Sequence, residues 1–270
     1  MGQPITLPNG LGGTTGHSLA TAAPAVSFGT TWYVGPGGVD AATATGLDGG
    51  RRREAPLATL AQAYTNASAG DTIVFLENHT ETLAVAQTLA KVGLTLVSEG
   101  DGSARARFTC NAAIAMFDIT AAAVRVLNVY FPASTTAAPT ARIRIGASGA
   151  LVEDCYFECG ALDTNRAVQL VAGSSYTEIN SCSFVSTAAT PARGLQVSNV
   201  ISGLILRDLI FDGGSFGWTT YAMDILAGTV TGLYANGISL LNNSDLDASN
   251  SGTGIMTIEA SSGSALIASS

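Results

Sequence analysis

The ten residues LVEDCYFECG, at positions 151–160, concentrate side chains that could do chemistry. Carboxylates and thiolates are groups that bind metal ions, and thiolates also carry redox reactions. Two interpretations are open: a metal or redox site, and one unit of a structural pattern. A chemical site here would be built from Glu153, Asp154, Cys155, Glu158 and Cys159.

The same stretch is one copy of an internal repeat of about 27 residues. Related segments end on an aromatic residue or a leucine, at Phe131, Phe157, Phe184, Phe211 and Leu240. A second series of short segments keeps nearly the same interval through its third residues, which are Ile119, Ile145, Leu170, Val197, Ile225 and Ile258. The last interval is longer, and we interpret residues 242–254 as a turn insertion.

The repeated segments alternate apolar and polar residues with the period of half-buried strands, and Gly, Asn, Ser and Asp separate them. No helical pattern lies between them. Propeller blades are longer, at about 40 residues, and leucine-rich repeats need spacings that this chain lacks. The pattern therefore predicts an all-β fold, a parallel β-helix of about seven coils of about 27 residues, with coils stacked about 4.8 Å apart.

Aligning the repeats on their phenylalanines defines two columns. The apolar, inward column contains Val129, Cys155, Cys182, Leu209 and Ile238. The turn column contains Asn128, Asp154, Ser181, Asp208 and Gly237. Thiols behave as small apolar side chains in such a column, and the two histidines of the chain, His17 and His79, lie far upstream. The sequence predicts that Cys155 and Cys182 are reduced, buried neighbours without a metal, and that the phenylalanines form one interior stack.

The charge balance limits the classes of partner that the chain can bind. The net charge is −8 and charged residues make up 12% of the chain, whereas nucleic-acid binding needs clustered basic residues. The one basic run, Arg51-Arg52-Arg53, is interpreted as a solvated loop, with neutralisation of a neighbour's acidic patch as the alternative. The first residues lack a signal-peptide pattern, and no apolar run approaches the roughly 20 residues of a bilayer span. We expect no nucleic acid and no membrane as partners, synthesis in a cytoplasm, and four cysteines that remain thiols.

Three segments near the start carry a family resemblance: WYVGPGGVD at 32–40, APLATLAQAY at 55–64 and GDTIVFL at 70–76. Together with the repeats they resemble the pectate-lyase-like single-stranded right-handed parallel β-helix family, and within it the bacteriophage decoration and tailspike-like branch. The resemblance implies a right-handed helix of coils. The apolar spacing in the second segment predicts a helix, with Pro56 in its first turn, that covers the open end of the first coil.

Members of this family include polysaccharide lyases, glycoside hydrolases, tailspikes and non-enzymatic virion proteins. A lyase would need an acidic cluster beside a basic residue, but Asp118 and Arg144 share an outward column and are better explained as an ion pair between coils, beside an amide ladder of Gln169 and Gln196. A hydrolase needs two carboxylates about 5–9.5 Å apart. The candidate carboxylate pair is Asp208 and Asp212. The outward aromatic residues that could stack on sugars are Tyr130, Tyr156, Tyr176, Trp218 and Tyr234.

Three regions follow from these patterns: an extended N-terminal anchoring arm (1–30), an initial strand, loop and capping helix (31–71), and the parallel β-helix (72–270). The arm has no periodic apolar face of its own, so a partner surface would have to order it. Its available anchors are Met1, Ile5, Leu7, Leu11 and Leu19.

The function expected is that of a non-catalytic bacteriophage virion protein, a capsid-decorating or tail-associated homotrimer made in the host cytoplasm, attached through the arm and using no cofactor. The alternative is a tailspike that binds or cleaves a surface glycan, as a polysaccharide lyase or glycoside hydrolase.

Overall fold

The computed structural model describes residues 29–40, 49–225, 230–248, 253–260 and 265–268. Over these ranges the chain is a parallel β-helix of about six turns with very little helix, where the sequence predicts about seven coils. The strands lie on three faces, and within each face neighbouring strands pair in parallel from one turn to the next.

The first face begins with two strands that flank the capping helix in sequence. It is formed by β1 (Thr31–Val34), β2 (Thr72–Phe75), β5 (Thr95–Ser98), β8 (Arg125–Leu127), β11 (Leu151–Glu153), β14 (Glu178–Asn180), β17 (Ile201–Ser202), and the first halves of β18 (Ile205–Asp212), β20 (Val230–Leu241) and β22 (Thr253–Ala260).

The second face continues around the coil. It is formed by β3 (Thr80–Leu83), β6 (Arg107–Cys110), β9 (Tyr130–Phe131), β12 (Tyr156–Cys159), β15 (Ser183–Ser186) and the second halves of β18, β20 and β22. Because those last three strands run through the bend without a break, the first two faces merge into one sheet towards the C-terminal end.

The third face is a separate sheet. It is formed by β4 (Gln87–Leu89), β7 (Ala115–Ile119), β10 (Ala141–Ile145), β13 (Arg166–Leu170), β16 (Arg193–Val197), β19 (Tyr221–Ile225), β21 (Asp245–Ala248) and β23 (Ala265–Ala268).

The helix α1 (Leu60–Asn66) packs on β1 and β2 at the N-terminal end of the stack. It begins later than the sequence predicts, so Pro56 lies before the helix and not in its first turn. Leu57 bridges to Val34, and the hydroxyl of Thr59 caps the helix by accepting from the backbone N–H of Gln62. The helix therefore starts only after the chain has finished pairing with β1.

The core confirms the predicted phenylalanine stack. Phe131, Phe157, Phe184 and Phe211 are fully buried, and successive ring centroids lie 5.0, 4.9 and 4.7 Å apart with nearly parallel planes. The second predicted column is also buried and paired rung to rung, through Ile119, Ile145, Leu170, Val197 and Ile225.

The prediction that Ile258 continues this second column is wrong. Ile258 belongs to β22 and pairs with Ile238 of the merged sheet. The third face instead continues through β21, which pairs with β19 inside the segment interpreted from sequence as a turn insertion. An additional strand, β21, therefore occupies part of that segment.

The predicted turn column is a row of left-handed backbone conformations. Asn128, Asp154, Ser181, Asp208 and Gly237 all have positive φ, between 49° and 66°. Asparagine, aspartate and glycine tolerate this region best, which explains the residue types at the position. The bend turns the chain from the first face to the second. No helix among the described residues has the length and apolar character needed to cross a membrane.

Candidate functional site

A surface pocket of about 390 Å³ opens on the outside of the second face. Its walls come from three successive rungs, because Arg107 pairs with Tyr130 and Tyr130 pairs with Tyr156 in the strand register. Gly102 and Ser103, from a short 3-10 turn (Gly102–Ala104), also line the pocket. This volume lies within the range of small-ligand sites.

Two tyrosines form the floor of the pocket. Tyr130 and Tyr156 point outward because each directly precedes an inward phenylalanine, and their ring centroids lie 5.3 Å apart at an angle of 69°. The Tyr130 hydroxyl donates to the carboxylate of Glu158. Burial, and then the hydrogen bond to Glu158, raises the pKa of Tyr130, and burial also raises the pKa of Tyr156. Both phenols are therefore neutral near neutral pH.

Two arginines, Arg105 and Arg107, also line the pocket. The guanidinium of Arg107 lies 5.4 Å from the Tyr130 ring centroid and donates to the Ser103 carbonyl at 2.7 Å. The Nε of Arg105 is buried and has no hydrogen-bond partner. The arrangement offers flat ring faces beside fixed positive charge, which are groups for binding a ligand.

The structure does not bring Asp208 and Asp212 together as neighbours. Both lie on β18, Asp208 at the left-handed bend and Asp212 at the end of the strand. Four residues of extended strand place their Cα atoms about 13 Å apart. The Asp212 carboxylate also accepts from the backbone of Gly214 at 2.9 Å and from Asn242 at 3.0 Å, and thereby holds the turn after β18.

The cysteine-rich stretch is a rung of the core. All four cysteines are free and buried, and Cys155 and Cys182 are neighbours on adjacent rungs, as predicted. Burial, and then contact with Cys155, raises the pKa of Cys182 well above that of an ordinary thiol. Across the part of the chain that the structure describes, no three metal-ligating side chains come together.

The outward column of the third face is a ladder of polar contacts. The predicted ion pair between Asp118 and Arg144 is present at 3.2 Å, and Gln169 donates to Gln196 at 3.5 Å. One rung further on, Arg193 pairs with the fully buried Asp224. The charged and amide side chains of this face therefore form ion pairs and hydrogen bonds with side chains of the neighbouring rung.

The remaining aromatic candidates are placed apart from the pocket. Tyr176 is exposed at a turn, Tyr234 lies under Arg207, and the Trp218 indole donates to Ser244 at 3.2 Å. In the basic run, Arg51 lies over Trp32 and Arg53 pairs with Glu99 at 2.5 Å. The arm residues Met1, Ile5, Leu7, Leu11 and Leu19 lie outside the described residues.

Sequence reasoning missed two features. Arg105 and Arg107 were not considered as binding residues, although their alternation with apolar Ala106 and Phe108 places Arg107 outward. It also missed a buried ion pair: Arg142 is 1% exposed and donates to Asp163 at 2.6 Å and to the carbonyls of Pro132 and Glu158. Arg142 and Arg144 alternate with apolar residues in the same way within β10, so no local signal distinguishes the buried arginine from the exposed one.

The geometry defines the class of this chain as a parallel β-helix protein. No protein-family model and no curated protein matches it. Among solved structures it is similar to a PL6 family alginate lyase, AlyGC, over 92% of its own length, with 15% identity and a TM-score of 0.45. The chain spans 40% of the length of that lyase chain.

Proposed function

We propose that this chain is a non-catalytic structural β-helix of a bacteriophage particle, decorating the capsid or associated with the tail, and attached through residues 1–30. The observation that carries the proposal is the rung-to-rung ladder. Asp118 pairs with Arg144, Glu178 pairs with Arg207, and the Glu153 carboxylate accepts from Asn180. Charged groups paired in this way stiffen a sheet face and are already occupied by each other.

The sequence supplies the support for attachment. A segment of 30 residues that is rich in Gly, Thr, Ala and Pro cannot bury enough apolar surface to offset its own ordering, about 1–2 kcal/mol per residue for the backbone. A capsid or tail protein would provide the surface for its apolar side chains. We further propose that three copies associate as a homotrimer in the virion, after synthesis in the host cytoplasm.

The test removes residues 1–30 and adds the purified β-helix to particles that lack the protein. We expect circular dichroism of the truncated chain to match that of the full chain, while binding to particles falls to background. A full-length Leu7→Asp, Leu11→Asp double variant should bind weakly for the same reason, and a Val39→Asp variant, changed at an exposed loop position outside the arm, serves as the matched control. Full-strength binding by the truncated chain would remove the arm as the anchor.

The second candidate is a tailspike that binds or cleaves a surface glycan, with Asp208 and Asp212 as its carboxylates. The specific observation that favours glycan binding is the pair of outward rings, Tyr130 and Tyr156, on the floor of one pocket. Aromatic faces stack on the apolar faces of sugar rings. Cleavage of a bacterial surface glycan by the purified chain would favour this candidate over the structural role.

A further inference from the structure

We propose that three copies of this chain meet in parallel along one corner of the β-helix, the corner at which the third face turns into the first. The inference rests on the homotrimer of the proposed function and names the surface that joins the copies. We call this surface the turn edge and define it by residues 90–94, 120–124, 146–150, 171–177, 198–204 and 230–232.

The turns of this edge stack as a regular ladder. Five backbone N–H groups, one in each of five successive turns, donate to a carbonyl of the turn one rung further on, at 2.7–3.0 Å. All five donors have positive φ. Six levels at the spacing of paired strands make the turn edge about 24 Å long. The donors are Gly93, Ala123, Gly149, Tyr176 and Gly203.

The turn edge is also even in height. Its first three turns, 90–94, 120–124 and 146–150, have the same length. At the corner between the second and third faces, by contrast, the turns range from 84–86 to 132–140. Turns of equal length leave a straight surface along the coil axis, and such a surface can lie against another straight surface over several rungs.

Charge is nearly absent from this edge. Among its described residues Lys91 is the one charged residue, and its ammonium donates to the carbonyls of Tyr64 and Ala67 at the end of α1. Charged side chains begin again on the first face beside the edge, at Arg125 and Glu178. The chain has a net charge of −8, so two copies repel each other over most of their surfaces. The turn edge is where copies of this acidic chain can approach with least repulsion, which favours a second copy as the occupant.

The lack of charge suits a parallel arrangement in particular. A rotation axis parallel to the coil axis brings each level of one copy against the same level of its neighbours. Any charged side chain at the contact would then meet a side chain of its own sign, which is unfavourable. Outside the turn edge, this would happen at acidic side chains such as Asp154 and Asp208.

Tyr176 is the residue that we place at the centre of the contact. It is 69% exposed and has a φ of 58°, which is a costly conformation for a bulky side chain. Its ring lies against Gly203 of the next rung, where an added Cβ would come within 2.5 Å of the ring. Val200, on the same turn as Gly203, is 62% exposed. A strained, exposed ring seated on a glycine does not stabilise its own core, whereas tyrosine is enriched where proteins meet.

The experiment measures the mass of the purified full-length chain by sedimentation equilibrium over a series of concentrations. We expect a trimer that dissociates on dilution. Tyr176→Asp should weaken association at least about 10-fold, because three carboxylates would meet at the contact. Aspartate accepts positive φ, so the turn should be retained, and circular dichroism checks this. Phe216→Asp, at an aromatic residue that is 59% exposed on the corner between the second and third faces, is the matched control and should change association less than about twofold.

A cysteine variant tests the parallel arrangement. Val92 is 55% exposed and lies three rungs before Tyr176, about 14 Å along the coil axis, so its copies meet only if the chains run in parallel. We expect Val92→Cys to form a covalent dimer under mild oxidation. Val85→Cys, at a position that is 75% exposed on the other corner, should not do so, and the native cysteines are buried.

The inference is overturned if the native chain is a monomer at every concentration, if Tyr176→Asp associates as the native chain does, or if Phe216→Asp dissociates as readily. It is also overturned if Val92→Cys forms no more covalent dimer than Val85→Cys. A chain without residues 1–30 should remain a trimer, and a monomer would show that the arm joins the copies instead. Association without binding to particles would contradict the attachment alone, and binding to particles by a monomer would contradict this inference alone.

Discussion

The ring of Phe184 lies 4.7 Å from the ring of Phe211, centroid to centroid, with the two planes 8° apart. Phe184 stacks equally closely on Phe157, so its ring is the shared contact of two rungs. Phe184→Ala should lower the free energy of unfolding by about 3–5 kcal/mol, because it removes a fully buried ring and leaves a cavity. Urea unfolding followed by circular dichroism measures this loss.

Phe216 provides the matched control, since it is 59% exposed. Phe216→Ala should change the free energy of unfolding by no more than about 0.5 kcal/mol. Equal losses at the two positions would contradict the interior stack.

The ion pair between Arg142 and Asp163 should be among the most sensitive polar contacts. Asp163→Asn leaves the fully buried guanidinium without its counter-charge, and removing one partner of such a pair costs about 3–5 kcal/mol. Thermal and urea unfolding of the variant check the size of this loss.

Asp118→Asn is the comparison for that variant. Its partner, Arg144, is 45% exposed, so the pair is weakened by water and salt. We expect a change of about 0–1 kcal/mol. If Asp163→Asn is no more destabilising than Asp118→Asn, the buried pair contributes no more to stability than the exposed one.

Alkaline pH should destabilise the fold through its buried thiols. Burial raises the pKa of Cys159 to about 12, against 9.0 for an ordinary thiol. Below pH 9 the thiol is protonated in both states, so its stabilising contribution is complete. As the pH rises from about 9 towards 12, the unfolded chain loses the proton first and stability falls, by up to about 1.4 kcal/mol per pH unit for one group.

Cys159→Ala should therefore flatten the decline of unfolding free energy between pH 9 and pH 11, as measured by urea unfolding at a series of pH values. Val152→Ala, at another fully buried position, should lower stability without changing that slope. If the unfolding free energy falls with pH equally steeply in the native and Cys159→Ala chains, the Cys159 thiol does not lose its proton at a lower pH in the unfolded chain than in the folded chain.

Purified full-length chain should leave bacterial capsular and lipopolysaccharide glycans intact. The reason is that Asp212 is committed to the turn at Gly214 while Asp208 lies at the other end of that half-strand. Release of reducing ends or of unsaturated sugars provides the measurement. Cleavage that disappears in Asp208→Asn or Asp212→Asn, but persists in Asp101→Asn at an exposed position, would support the glycan-cleaving alternative.

The regular part of the fold could be predicted from sequence because each rung repeats one local pattern. The alternation around Phe157 fixes which side chains face inward, and the Asp154 column marks the bend through residue types that accept positive φ. The prediction failed at Ile258 because DLDA, now β21, is a short segment surrounded by Asn, Ser and Asp residues that are typical of turns. Its strand conformation depends on hydrogen bonds to β19, and a local sequence pattern does not reveal those bonds.

The pocket was harder to predict for a related reason. Tyr130 and Tyr156 could be placed in one column because both follow the repeat. Arg105 lies next to the 3-10 turn, outside the repeating positions, and its proximity to the tyrosines depends on how that turn folds against the sheet. Contacts made by irregular turns are set by tertiary packing and leave no periodic signal.

The Arg142–Asp163 pair also affects which alignment of successive coils the folded chain adopts. Columns of similar aliphatic and aromatic side chains would accept a coil displaced by one whole level, with most apolar contacts preserved. A displaced coil would bury the guanidinium of Arg142 away from Asp163, and an unpaired charge in the interior is strongly unfavourable. A buried ion pair at one level can thus help to distinguish the native stacking order from its shifted competitors, and the buried Asp224 with Arg193 adds a second such constraint.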